Sequence, residues 1–282
     1  MQLKEIKQIF HKELEELYPL EEIDSFFYIL IEHYLNLERF VLALQPNLTI
    51  TKEEEQTLFE ALSGLKLKKP IQHIIGTAHF MDLDLVVNEH VLIPRPETEE
   101  LVRWILKDCE NNAESFRILD MGTGSGCIPI SLGKNLKSST IHALDISQKA
   151  LRVAKRNAKI HQVEIEFIQA DMLAYPSLDL VFDLIVSNPP YVRDLEKKEM
   201  HGNVLEHEPH LALFVSNDDP LLFYRNIMLF CEKHLKIDGC LYLEINQYLG
   251  KEMVTLLQEH NFSEIELRKD MFGNDRMVKA VK

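Results

Sequence analysis

The chain has 282 residues, enough for one large domain or two smaller ones, and 46% of them are hydrophobic, so a buried core needs no disulfide staples. Lys and Arg number 31 against 45 Asp and Glu, and the resulting charge of −14 opposes non-specific binding to nucleic-acid phosphates. Cys109, Cys127, Cys231 and Cys240 form no CxxC pair, the N-terminus is charged and amphipathic rather than a signal peptide, and no apolar run approaches the ~20 residues of a membrane span, so the expectation is a cytoplasmic monomer with reduced thiols, no metal and no membrane.

Residues 1–70 read as a helical domain. Leu3, Ile6, Phe10, Leu14 and Leu17 recur at helical spacing, and Ile23, Phe26, Phe27, Leu30 and Tyr34 form a second stripe. Thr51 and Glu54 make a capping-box pattern ahead of a third helix, which Gly64 is expected to break. Residues 71–96 change character: Phe80, Leu83, Leu85 and Val87 alternate with polar residues, as in a short β-hairpin linking two domains. Pro94-Arg95-Pro96-Glu97 is a stiff turn into a helix, with Thr98 a candidate N-cap. It reads equally as a plain linker or as a flap over a ligand.

From residue 97 to residue 282 strands and helices alternate. Strands are predicted at 117–122, 141–147, 165–172, 182–191, 240–245, about 264–269 and 276–282. A long helix is expected to run from Pro220 to a stop at Gly239. Such alternation implies a doubly wound, largely parallel α/β sheet that binds its ligand at the carboxyl ends of the strands.

The first predicted strand runs into Asp120-Met121-Gly122-Thr123-Gly124-Ser125-Gly126 and then a helix. Glycine there permits positive φ and a close approach of backbone to ligand. The G-x-G-x-G spacing differs from the dinucleotide G-x-G-x-x-G and suits a cofactor without a pyrophosphate, with S-adenosylmethionine the candidate. Pro129 forces the helix to begin near Gly126 or Cys127. Asp145 ends the second strand, where an acid can accept from both ribose hydroxyls, while Ser147 can cap the next helix. Asp171 and Met172 end the third strand, suited to the adenine amine and ring. Each of these has a plainer reading as a tight turn, a cap or core packing.

Asn188-Pro189-Pro190-Tyr191 follows the fourth strand. Two prolines stop the ladder and leave carbonyls without a local N–H partner. A planar amide nitrogen is a poor nucleophile with two N–H groups to satisfy. Asn188 Oδ1 and the Pro189 carbonyl can accept both, and Tyr191 can stack on the amide plane. A rigid strand-ending turn is the bland alternative; the upstream glycine motif in the same sheet makes the site reading the stronger one.

Together these residues resemble the class I methyltransferases that modify nitrogen on planar groups. LIPRPETEE (92–100), DMGTGSGCI, ALDIS, SNPPYV, Glu208-Pro209 with Ala212-Leu213, and Asp275-Arg276 are similar to the PrmC/HemK family. The resemblance implies a Rossmann-like methyltransferase domain behind a small helical domain that helps grip the substrate. It implies methylation of the glutamine in the GGQ motif of peptide chain release factors. It places the cofactor on Gly122 to Gly126, Asp145, Met172 and Asn188, and the target glutamine on Asn188 to Tyr191. Pro129 and Met172 depart from the usual family pattern. The rival enzyme is a nucleic-acid methyltransferase acting on an adenine or guanine amine, which the charge of −14 and the lack of a basic, aromatic-interleaved extension disfavour. A non-catalytic cofactor-binding module has no use for paired acceptors.

Overall fold

Leu3, Ile6, Phe10 and Leu14 lie one helical turn apart and are all fully buried along α1 (Leu3–Leu14), so the first periodic stripe is the inner face of a helix. Leu17, the last residue of that stripe, lies beyond the helix and is 40% exposed. α2 (Leu20–Leu35) buries Ile23, Phe27, Leu30 and Ile31 against it, with Phe10 and Phe27 meeting edge to face at 5.5 Å. After the short α3 (Val41–Leu44), α4 (Lys52–Lys66) starts with the Thr51–Glu54 capping box read from the sequence. Gly64 does not break it. That glycine lies inside α4, where a Cβ would come within 3.1 Å of the Ile74 side chain on α5 (Ile71–Ile75), so it is there for close packing.

The structure, a computed structural model, describes residues 1–110, 115–174, 176–199 and 202–282. It divides into two units, the first running from Met1 to Gly76 and taking in one later short helix. No helix among the described residues is long and apolar enough to cross a membrane.

The second unit opens with the predicted hairpin, β1 (Thr77–Phe80) and β2 (Leu83–Val86). Next come α6 (Pro96–Cys109), β3 (Arg117–Met121), α7 (Cys127–Asn135), β4 (Thr140–Asp145), α8 (Gln148–His161) and β5 (Ile165–Gln169). β6 (Phe182–Ser187) and β7 (Val192–Arg193) follow, then α9 (Gly202–His207), which belongs to the first unit. The chain ends with α10 (His210–Leu213), β8 (Phe214–Val215), α11 (Leu222–His234), β9 (Leu235–Glu244), α12 (Gly250–Glu259), β10 (Ser263–Lys269) and β11 (Asp275–Val281).

Seven strands form one sheet in the order β10-β11-β9-β6-β3-β4-β5, parallel from β9 to β5, with β11 antiparallel to both its neighbours. Leu119 and Met121 of β3 pack on one face with α11 and α12, and Ile118 on the other with α6 and α7. A strand covered on both faces carries apolar residues on both, which is why β3, with Ile118, Leu119 and Met121, was legible. α11 ends five residues short of Gly239. Leu235 is buried and pairs with Phe182, so the sheet claims the segment that helical periodicity alone assigns to the helix.

The chain order reverses between β3 and β6: β4 and β5 lie to one side of β3, and β6, β9 and the final pair to the other. The predicted glycine turn and the predicted Asn-Pro-Pro-Tyr segment both leave the sheet at this reversal.

Candidate active site

Register pairs Met121 with Ser187, so the segments after β3 and β6 emerge side by side. The Ser187 hydroxyl locks them by donating to the Met121 carbonyl at 2.6 Å. The glycine turn then folds back under the end of β4: Gly122 and Thr123 donate to the Leu144 carbonyl at 2.8 and 3.0 Å. Gly122, Gly124 and Gly126 have φ of +82°, +55° and +84°, the left-handed conformation that their identity predicted. Gly126 is also the N-cap of α7, which places Pro129 in the first turn as its ring requires.

A cavity opens over this turn. Of the residues singled out from sequence, Gly122, Gly124, Asp145, Asp171, Met172, Asn188 and Pro190 line it. Ile146, Leu173 and Phe223 add apolar wall, and His90, Val91 and Leu92 reach it from the segment before the Pro-Arg-Pro-Glu turn. Thr123 and Ser125 are buried, while Pro189 and Tyr191 are not part of the cavity wall.

Asp145 Oδ2 accepts from the Gly124 N–H at 2.9 Å and Oδ1 from the Ser147 N–H at 2.8 Å. Burial pushes its carboxyl up, and those two N–H groups offset this only in part. Each oxygen keeps a lone pair for a further donor. Ser147 caps α8 through Ala150, so cap and site acid are separate residues, as the sequence allowed. Asp171 Oδ1 accepts from the Leu173 N–H at 2.8 Å. The Met172 methyl lies 3.3 Å from where a Gly122 Cβ would be.

At the tip of β6, Asn188 Nδ2 donates to the Thr98 hydroxyl at 3.1 Å, and Thr98 donates to Glu244 Oε2 at 2.6 Å. The Tyr191 hydroxyl donates to Glu244 Oε1 at 2.8 Å, and Arg276 Nη1 to the Tyr191 hydroxyl at 3.4 Å. Asn246 Nδ2 holds the Tyr191 carbonyl at 2.9 Å. Among the described residues none donates to Asn188 Oδ1 or to the Pro189 carbonyl, two acceptors on consecutive residues just beyond the end of the strand.

Several of these partners escaped the sequence reading. Thr98 is not an N-cap: Pro96 begins α6, Arg95 is its cap position, and the buried Thr98 hydroxyl is spent on the site. Glu244, the acid ending a buried strand, was the available signal for its partner. Burial pushes its carboxyl up, offset by the Thr98 and Tyr191 hydroxyls and the nearby Arg276. Asp120, within the glycine motif, is fully buried. Neither of its oxygens has a well-formed donor, and burial, with the Asp145 charge beside it, pushes it up to about 7, eased only partly by Thr123. The PRPETE and Glu-Pro motifs prove to be one structure: Glu208 pairs with the Arg95 guanidinium and accepts from the Ile93 N–H at 3.0 Å.

Residues 6–76 match the family model of the PrmC N-terminal domain and residues 100–211 that of the methyltransferase small domain. The chain is 50% identical over 282 residues to a release factor glutamine methyltransferase of Flavobacterium psychrophilum, covering 99% of each. It is 37% identical to the protein of that name in Bacteroides thetaiotaomicron, again over 99% of each. Its fold is similar to that of a methyltransferase from Pyrococcus furiosus, with a TM-score of 0.52 at 14% identity, covering 82% of this chain and 99% of that one.

Proposed function

The chain belongs to the release factor glutamine methyltransferase family, and from that premise and the site geometry we propose that it transfers a methyl group from S-adenosylmethionine to the side-chain amide nitrogen of the glutamine in the GGQ motif of peptide chain release factors. The observation that carries this reading is the pair of undonated acceptors, Asn188 Oδ1 and the Pro189 carbonyl, on consecutive residues of which Asn188 lines a cavity floored by glycine.

The residues present fit the methyl donor. Gly122 and Gly124 give a floor without side chains, Asp145 retains lone pairs for the ribose hydroxyls, and Met172, Leu173, Ile146 and Phe223 offer apolar contact to a flat base. S-adenosylmethionine supplies an activated methyl on a sulfonium, so the protein needs no nucleophile of its own. The buried Asp120 carboxyl, near Asp145 and pushed up to about 7, carries its negative charge only above that pH, where a cationic ligand at the neighbouring glycine turn would favour it.

The work left to the chain is orientation. A carboxamide has two N–H groups, and two fixed acceptors hold both while leaving the nitrogen face presented. Those bonds strengthen as the nitrogen gains positive charge and favour its loss of planarity and then of a proton. Tyr191, anchored by its hydroxyl and its carbonyl, flanks the amide. The N-terminal helical unit is assigned to substrate recognition, and its exposed Phe40 and Leu44 supply apolar contact area for a protein partner.

The test is incubation with labelled S-adenosylmethionine and, separately, release factor, total RNA and DNA. Label should enter the release factor and vanish when the GGQ glutamine is replaced. Label confined to nucleic acid would sink the proposal in favour of an adenine or guanine methyltransferase. Asn188→Ala should abolish turnover and leave cofactor affinity within about threefold, since Asn188 is one of many residues lining the cavity, and an equal loss of both would make it chiefly a cofactor ligand.

A further inference from the structure

The proposed chemistry requires Asn188 to turn its oxygen, not its amine, toward the substrate. The two ends of a carboxamide are nearly identical in shape, so packing does not choose between them. The hydrogen-bond chain behind Asn188 does. Glu244 is 1% exposed and has a hydroxyl at each oxygen, Thr98 at 2.6 Å and Tyr191 at 2.8 Å. A carboxylate only accepts, so both hydroxyls donate to it. Thr98 has a single hydrogen; with that given to Glu244, it can only accept from Asn188. The end of Asn188 lying 3.1 Å from Thr98 is therefore the amine, and the oxygen is the other end. On the far side Arg276 donates to the Tyr191 hydroxyl, so every donor in the chain points toward Glu244.

We propose that Glu244, acting through Thr98, is a positioning residue that sets which end of Asn188 meets the target amide, and that through Tyr191 the same carboxylate holds the other side of the clamp. The inference rests on the reading of Asn188 as an acceptor for the substrate. Neither Thr98 nor Glu244 touches the reacting atoms. A network of this kind also stabilises the core, so the test must separate orientation from folding.

The experiment uses the full chain with release factor as methyl acceptor, comparing wild type, Thr98→Val, Thr98→Ser and Glu244→Gln. Valine keeps the shape of threonine and removes the hydroxyl, which frees Asn188 to rotate. Turnover should fall about 10- to 100-fold, the range for losing one buried polar contact, with KM for the release factor and cofactor Kd within about threefold. Serine restores the hydroxyl and should return kcat to within about threefold of wild type. Glutamine at 244 offers one acceptor end in place of two, so either Thr98 or Tyr191 meets an amine, and kcat should fall on the same scale. The proposal is overturned if Thr98→Val turns over like wild type, if the serine variant is as impaired as the valine one, or if the loss lies wholly in cofactor affinity. Should Thr98→Val not fold, Glu244→Gln set against Thr98→Ser decides the same question. Wild-type protein that methylates no release factor would overturn the proposed function itself, a result distinct from any of these.

Discussion

The side-chain amide of Asn157 exchanges two hydrogen bonds with the backbone of Val86, Oδ1 accepting at 2.8 Å and Nδ2 donating at 2.9 Å. The same Nδ2 donates to the Ser125 carbonyl at 2.9 Å. One fully buried side chain on α8 thus ties the hairpin strand β2 to the glycine turn. Asn157→Leu keeps the branched shape and strands one buried and two part-buried backbone groups, which should cost about 2–4 kcal/mol of stability. Chemical denaturation checks this, and a loss below about 1 kcal/mol would mean that water or local relaxation replaces the amide.

Gly122 and Gly124 should respond differently to alanine. Both have positive φ, so each substitution carries about 1–2 kcal/mol of left-handed strain. At Gly122 the new methyl also meets the Met172 methyl at 3.3 Å and the Asn188 carbonyl at 4.0 Å, and stability should drop further. At Gly124 no protein atom lies within 4 Å, so nothing in the chain resists the methyl. If the cofactor lies against this turn, Gly124→Ala should lose at least about tenfold in cofactor affinity while its melting temperature moves less than that of Gly122→Ala. Cofactor titration by calorimetry, paired with thermal melts, separates the two. Unchanged affinity in Gly124→Ala would remove the turn from the binding site.

These contrasts bear on what the sequence made legible. The glycine turn and the Asn-Pro-Pro-Tyr corner were readable because their chemistry is local: positive φ needs glycine, and proline ends a ladder wherever it stands. β3, β4 and β6 were readable because burial on both faces leaves mostly apolar runs such as Leu184-Ile185-Val186 in β6. Gly64 was misread because a glycine that admits a neighbouring side chain looks the same in sequence as one that ends a helix. Thr98 was misread for a related reason. It stands where an N-cap belongs, yet its partner Glu244 lies 146 residues away, a pairing that no spacing rule encodes. The early end of α11 likewise reflects the pairing of Leu235 with Phe182, a tertiary claim on residues that locally favour helix.

The orientation of Asn188 should depend on pH through Glu244. A protonated Glu244 can donate to Thr98, which then donates to Asn188 and turns the amine outward. Burial sets this carboxyl above the usual glutamate range, opposed by Thr98, Tyr191 and Arg276 and reinforced by Glu97, while Tyr224 faces its backbone carbonyl. Turnover should therefore fall on acidification, with a midpoint above that of an ordinary glutamate. Single-turnover rates across the acid range, at saturating cofactor, measure it. Glu244→Gln has no proton to gain and should lose this acid limb; an identical limb in both proteins would assign it to another group.

Asp120 makes a prediction about stability rather than turnover. Its carboxyl moves from an ordinary 3.8 to about 7, chiefly by burial. The folded protein therefore keeps a proton that the unfolded chain has already released. The sign follows: this contribution to stability is full below about pH 4 and is lost as pH rises through about 7, at no more than about 1.4 kcal/mol per pH unit. Asp120→Asn is uncharged at every pH and lacks that slope. Compared without cofactor, the variant should melt several degrees above wild type at pH 8, with the gap closing toward pH 4. The two melting curves would run parallel across that range if Asp120 found a donor in solution, and its charge would then carry no cost in the fold. The same substitution should weaken cofactor binding above pH 7, because it removes a negative charge next to the site where a cationic ligand is proposed to sit.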